Sequence, residues 1–194
     1  MSTIKKSVIA IMVLFFISNV NATNLKSSTD KVKMPKQTRS SSVSSFKTDM
    51  LDAKLNGVFE NYFLLKDELV KTDGVTAAAK AKLLVTSLSE VKMGELSKDV
   101  HKVWMKVMKN VMADAKGIAA TQDVKAQRLL FVSLSKKMYD LVKVAKFQTP
   151  VYYQFCPMAN DGKGANWLSK ENAVKNPYYG TKMLKCGEVV ETIK

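Results

Sequence analysis

Residues 49–71, DMLDAKLNGVFENYFLLKDELVK, place Leu51, Leu55, Val58, Tyr62, Leu65 and Leu69 at steps of three and four. That spacing is one apolar face of an α-helix. Asp73-Gly74 stops the run, with Gly suited to the left-handed residue past a helix end. Three more runs follow with the same period. One starts after Thr76 as N-cap and carries Ala77, Ala81, Leu84, Leu88 and Val91 as far as Gly94. A third starts near Ser97, carries Val100, Val103, Trp104, Val107 and Val111, and fades around Gly117. A fourth starts near Thr121 or Asp123 and runs through Gln127, Leu130, Leu134, Met138, Leu141 and Ala145, until Pro150 bars it. Short connections force neighbouring helices to be antiparallel, and each apolar stripe needs a partner to leave water. The pattern predicts an all-α fold: an up-down antiparallel four-helix bundle with an irregular C-terminal Cys/Met loop region.

Outside the helices the chain changes character twice. At the start, Lys5 and Lys6 precede ten unbroken apolar residues, Val8 to Ile17, and Val20-Asn21-Ala22 offers a cleavage site. Ten residues are too few to span a bilayer, which takes about 20. Residues 1–22 therefore read as a secretory signal peptide, placing the protein in the periplasm or outside the cell, without stable membrane insertion after cleavage. Residues 23–47 are rich in Ser, Thr and Lys with few apolar side chains, and predict a disordered basic linker. The helical domain and its tail then occupy 48–194. At the far end, Val151–Phe155 suits a short strand or an extended segment. Asn160-Asp161-Gly162 and Lys163-Gly164 are turn signals, and Ser169 caps a short helix through Ala173, ended by Asn176-Pro177. Glu188–Ile193 suits a last strand or a frayed tail.

Composition narrows the function. With 46% apolar and 25% charged residues, the chain is not wholly disordered. A single His excludes a three-His zinc centre and an H-E-x-x-H protease. No phosphate loop or nucleophile elbow appears, Gly162-Lys163-Gly164 falls far short of one, and Asp161 and Glu171 suit turn and cap roles, so no enzyme activity is expected. A net charge of +14 allows nucleic-acid binding, but the lysines are spread over every helix and Phe59, Tyr62 and Phe63 sit at core spacing, so no nucleic acid is expected as partner.

The chemistry concentrates in the tail. Both cysteines lie there, each near a methionine: Cys156-Pro157-Met158 and Met183-Leu184-Lys185-Cys186-Gly187. Thiolate and thioether sulfur are soft donors that favour Cu(I) or its mimic Ag(I) over hard cations. Two cysteines in an exported chain also commonly form a disulfide, and a Cys156–Cys186 bridge would remove both thiolates as ligands. On the third helix, His101, Met105, Met108 and Met112 fall at i, i+4, i+7 and i+11. His101 and Met105 there suit an auxiliary copper face, whereas Met108 and Met112 suit pliable core filler.

These residues carry a resemblance. The stretches YYQFCPMA (152–159), GKGANWLS (162–169), NPYYG (176–180) and KMLKCGEV (182–189), with YFLLKDEL (62–69) and His101-Lys102-Val103-Trp104-Met105 upstream, are similar to a family of exported bacterial domains of unknown function. That domain is also found at the C-terminal end of some heavy-metal efflux adaptor (membrane fusion) proteins of copper and silver systems. Phe155 departs from the pattern, which has Tyr there, and so does Lys185, where Thr is commoner. The resemblance implies metal handling with an efflux adaptor as partner. The expected function is thus periplasmic Cu(I)/Ag(I) binding, for sequestration or hand-over, through Cys156, Met158, Met183 and Cys186, with His101 and Met105 completing the site. The alternative is an exported structural or interaction module locked by a disulfide, with Trp167 and Tyr178 packing the tail on the bundle.

Overall fold

The computed structural model describes residues 46–145, 147 and 149–194, with side chains from Leu55 onward. Residues 1–22 and nearly all of the 23–47 tract lie outside them, and so does the side chain of Leu51. Four helices come first: α1 (Phe46–Lys71), α2 (Gly74–Glu90), α3 (Lys98–Ala119) and α4 (Val124–Val142). Each packs on the next in sequence, as short connections require. Among the described residues no helix is long and apolar enough to cross a membrane.

The chain is not all-α. Three strands, β1 (Val151–Cys156), β2 (Ala165–Ser169) and β3 (Glu188–Ile193), form an antiparallel sheet in the order β2-β1-β3. Both extended readings of the tail resolve to strands, and the short helix expected after Ser169 is absent. Ser169 instead closes β2, and its hydroxyl accepts from the Glu171 amide at 3.1 Å to start a bend.

The sheet explains how the bundle closes. α1 and α4 touch each other only sparingly; β2 packs on α4, and a 3-10 turn at Gly180–Met183 packs on α1. The inward faces of α1 and α4 are rich in large rings, with Tyr62 stacked on Phe131 at 5.3 Å. Trp167, Leu168 and Tyr178 cover them, all buried. Burying side chains of this size stabilises by about 1.5–3 kcal/mol each, the term that draws the tail onto the bundle. Tyr62 is the joint: its hydroxyl pairs with Ser135 of α4 at 2.8 Å and accepts from the Leu168 amide of β2 at 3.0 Å. Burial pushes the Tyr62 phenol well above its ordinary pKa, so it stays neutral.

Two helix boundaries differ from expectation in their cause. The left-handed residue after α1 is Thr72, at φ 64°, not Gly74. Asp73 rather than Thr76 caps α2, accepting from the Thr76 amide at 2.9 Å and its hydroxyl at 2.7 Å. Gly74 serves a different need. It opens α2 against the Gln122 carbonyl, where a Cβ would clash. Gln127 of α4 fixes the same corner, donating to the carbonyls of Gly74 at 2.8 Å and Thr121 at 2.7 Å.

Candidate metal centre

Cys156 ends β1 with its side chain turned inward. Along β1 the buried positions are Val151, Gln154 and Cys156, a switch from odd to even. The pairing with β2 runs unbroken from Tyr152 to Cys156, so Gln154 and Cys156 share one face by strand alternation; the shift against β3 leaves Val190 of β3 as the extra residue. Cys186 lies two residues before β3. Since Phe155 pairs with Glu188, the strands bring the two cysteines side by side. Their sulfur atoms, 30 positions apart in sequence, stand 2.7 Å apart, both as free thiols. Cys156 is fully buried and Cys186 partly exposed, so the pair is reached from the Cys186 side.

The loop carrying Cys186 is tightly built. Asn176, fully buried, donates through Nδ2 to the Cys186 carbonyl at 2.8 Å, and its own amide donates to the Leu184 carbonyl at 2.8 Å. Its Oδ1 accepts from the amides of Tyr178 and Tyr179 at 2.8 and 3.2 Å. One side chain thus ties the NPYYG turn to the cysteine loop. Gly187 follows Cys186 at φ 132°, with its Cα against the Phe155 carbonyl and the Trp167 ring, where no side chain fits. Arg128 of α4 braces the far side. It donates to the Pro177 carbonyl at 2.7 Å, the Leu69 carbonyl at 2.9 Å and the Thr72 hydroxyl at 3.0 Å.

The hydrogen bond with Cys156 raises the Cys186 thiol pKa, and burial adds to the shift. Two thiolates in contact repel unless something else neutralises the pair. A soft cation does so, and so does oxidation to a disulfide. Lys185, exposed beside Cys186, brings a positive charge near the same spot.

The other predicted residues divide. Met158 lies in the turn after β1 and is 50% exposed; Met183 ends the 3-10 turn, partly buried, and its carbonyl accepts from the Cys186 amide at 3.0 Å. Both therefore flank the thiols within a few residues. His101 and Met105 are exposed on α3, whose packing partners are α2 and α4 rather than the sheet. They sit one position round from the buried stripe of Val100, Trp104, Val107 and Val111. Among the described residues no group of three or more His, Cys, Asp or Glu side chains converges. Asn176, Gln154 and Tyr62 were not singled out as site residues by the sequence. Asn176 carried two signals, standing before Pro177 and opening the NPYYG stretch. Gln154, fully buried, donates to the carbonyls of Glu171 at 3.0 Å and Asn172 at 3.2 Å and so holds the bend after β2.

Residues 58–149 match a family model described as "Protein of unknown function (DUF3347)". The match runs from within α1 to the end of the helical part and stops short of the sheet and of both cysteines. No curated protein and no solved structure matches the chain.

Proposed function

We propose that the terminal sheet is a soft-metal site. In this reading the protein binds Cu(I), with Ag(I) as mimic, in the periplasm or outside the cell, and either sequesters it or hands it to an efflux adaptor. The observation that supports it is the meeting of Cys156 and Cys186 at 2.7 Å, each within three residues of a methionine in sequence, Met158 and Met183. The two thiols, as thiolates, are the primary ligands; the thioethers are neutral secondary donors. The set holds soft sulfur and no carboxylate, which selects Cu(I) over Mg(II) or Ca(II). Bonds from sulfur to a metal of this size run about 2.3 Å, so the two sulfurs part by about 1 Å or more to admit the ion. Cys186 makes that movement, being partly exposed on a loop, while Cys156 is fixed in β1.

The test is a Cu(I) titration without oxygen against a coloured chelator. The wild-type chain is expected to take one Cu(I) with an affinity orders of magnitude above that of the Cys156→Ser, Cys186→Ser double variant. Equal affinities refute the reading. His101→Ala and Met105→Leu, on the exposed face of α3, are expected to leave the affinity unchanged.

The sulfur separation also favours a second reading. At 2.7 Å the thiols need only a small approach to reach the disulfide bond length of about 2.05 Å. Oxidised, the pair would staple β1 to β3 and contribute about 3–4 kcal/mol by restricting the unfolded chain. Alkylation and mass spectrometry, before and after reduction, separate the readings. A pair blocked until reduction in freshly harvested protein supports the staple.

A further inference from the structure

The outward face of α3 takes no part in the bundle core or the sulfur site. Lys98, Lys102, Lys106, Lys109 and Lys116 are all exposed there. At 100° per residue they fall within a sector about 80° wide and about 27 Å long. The opposite sector is the buried stripe that ends in Ala115 and Ile118. Several lysines elsewhere are matched, Lys71 with Glu68, Lys143 with Glu191, Lys170 with Glu60 and Lys175 with Glu171, while others such as Lys80, Lys125 and Lys136 stand singly rather than in a row. Asp114, on α3 itself, is committed to Lys137 of α4 at 3.3 Å. Among the described residues, Lys102, Lys106, Lys109 and Lys116 form no ion pair. Lys82 of α2 adds a further charge, lining with Lys116 a shallow groove between the two helices.

We propose that this face docks on a bilayer surface rich in anionic lipid, with α3 lying along the headgroup plane. A straight row of like charges repels itself in water and is relieved by a dense sheet of opposite charge. The ammonium groups are compact point charges, and the row contains no guanidinium fork for bidentate phosphate or base contacts. It also contains no Phe, Tyr or Trp on which a nucleic-acid base would stack. Met105, 58% exposed at the edge of the row, is the one large apolar side chain there, able to enter the headgroup layer. The apolar face of α3 is already buried, so the protein adsorbs and does not insert. This inference stands apart from the copper reading.

Co-sedimentation of the full chain with vesicles tests it. Vesicles of phosphatidylcholine containing one third phosphatidylglycerol are expected to bind the chain far more tightly than pure phosphatidylcholine, with the difference shrinking as salt rises. Replacing Lys102, Lys106 and Lys109 by Gln is expected to weaken binding to the anionic vesicles about 100-fold. Replacing the same three by Glu should weaken it further. Circular dichroism establishes that the helices persist, and the Gln variant serves if the Glu variant does not fold. Equal binding of the wild type and the Gln variant overturns the proposal. So does equal binding to both vesicle types, or tighter binding to a DNA duplex than to anionic vesicles at the same salt.

Discussion

In the helical part, from Leu55 to Ala145, burial repeats. Val58, Tyr62, Leu65 and Leu69 are buried on α1 and Ala77, Ala81, Leu84 and Leu88 on α2, and α3 and α4 repeat the pattern. In the sheet, burial falls on fewer side chains, and single polar groups hold whole segments: Gln154 the bend after β2, Asn176 the Cys186 loop, Glu191 the outer strand. The first design is redundant, since losing one apolar contact leaves its neighbours in place. The second is addressable, since each polar side chain controls one stretch of backbone next to the thiols. Admitting an ion between the thiols, as proposed above, would need about 1 Å of opening, which suits the second construction.

Substitutions can test this contrast, and the largest effect belongs to the helices. Trp104→Ala should lower the unfolding free energy by about 3–5 kcal/mol in urea melts, with helix and sheet signals falling together. Asn176→Ala leaves the Tyr178 and Tyr179 amides and the Cys186 carbonyl without their partner. It should cost about 2–3 kcal/mol, with hydrogen exchange accelerated over residues 176–187 and little changed in α2 and α3. Uniform acceleration across all four helices would erase the distinction. Tyr62→Phe removes the hydroxyl joining α1, α4 and β2, and is expected to cost about 1–2 kcal/mol. Its signature is faster exchange of the Leu168 amide.

A smaller effect is expected from pH. Lys143 and Tyr139 both bond to the Glu191 carboxylate and hold its pKa below the ordinary value. A carboxyl with a depressed folded pKa stabilises above its unfolded pKa, and that contribution is lost as pH falls through the folded value. Acid below about pH 4.5 should therefore loosen β3 before the helices, read as exchange of 188–193. Glu191→Gln should abolish that pH dependence. Tyr139, whose phenol is pushed up to about 12 chiefly by the same hydrogen bond, stays neutral throughout. The smallest change is Met112→Leu, which conserves volume at a half-buried position and should alter stability by less than about 1.5 kcal/mol.

The helices were legible because their signal is local and repeated. All the described positions of the α1 pattern, Leu55 to Leu69, are buried, as are Leu134, Met138, Leu141 and Ala145 at the other end. The sheet was legible only in part: β1 and β3 were readable as strands, but β2 spans only Ala165–Ser169 and exists through its pairing with β1. A Ser followed by Lys170-Glu171 looks locally like a helix cap, and only the tertiary register decides against it. The nearness of Cys156 and Cys186 was readable from turn signals between them. The position of His101 and Met105 was also implicit: residues offset by one from Val100 and Trp104 turn about 100° away from the core. Periodicity shows that residues share a face; the largest apolar side chain, Trp104, shows which face is inward. The bulge opposite Tyr153/Gln154, with Val190 of β3 as the extra residue, had no signature in the sequence.

The chain has two tryptophans, and they fall on either side of this divide: Trp104 lies deep among the helices and Trp167 in β2, its ring against Gly187 beside Cys186. Each region therefore carries its own intrinsic fluorophore. A Trp167→Phe chain would emit from the helices alone, and a Trp104→Phe chain from the neighbourhood of the sulfur pair. Quenching on adding silver, seen in the second and missing from the first, would locate the ion optically without any label.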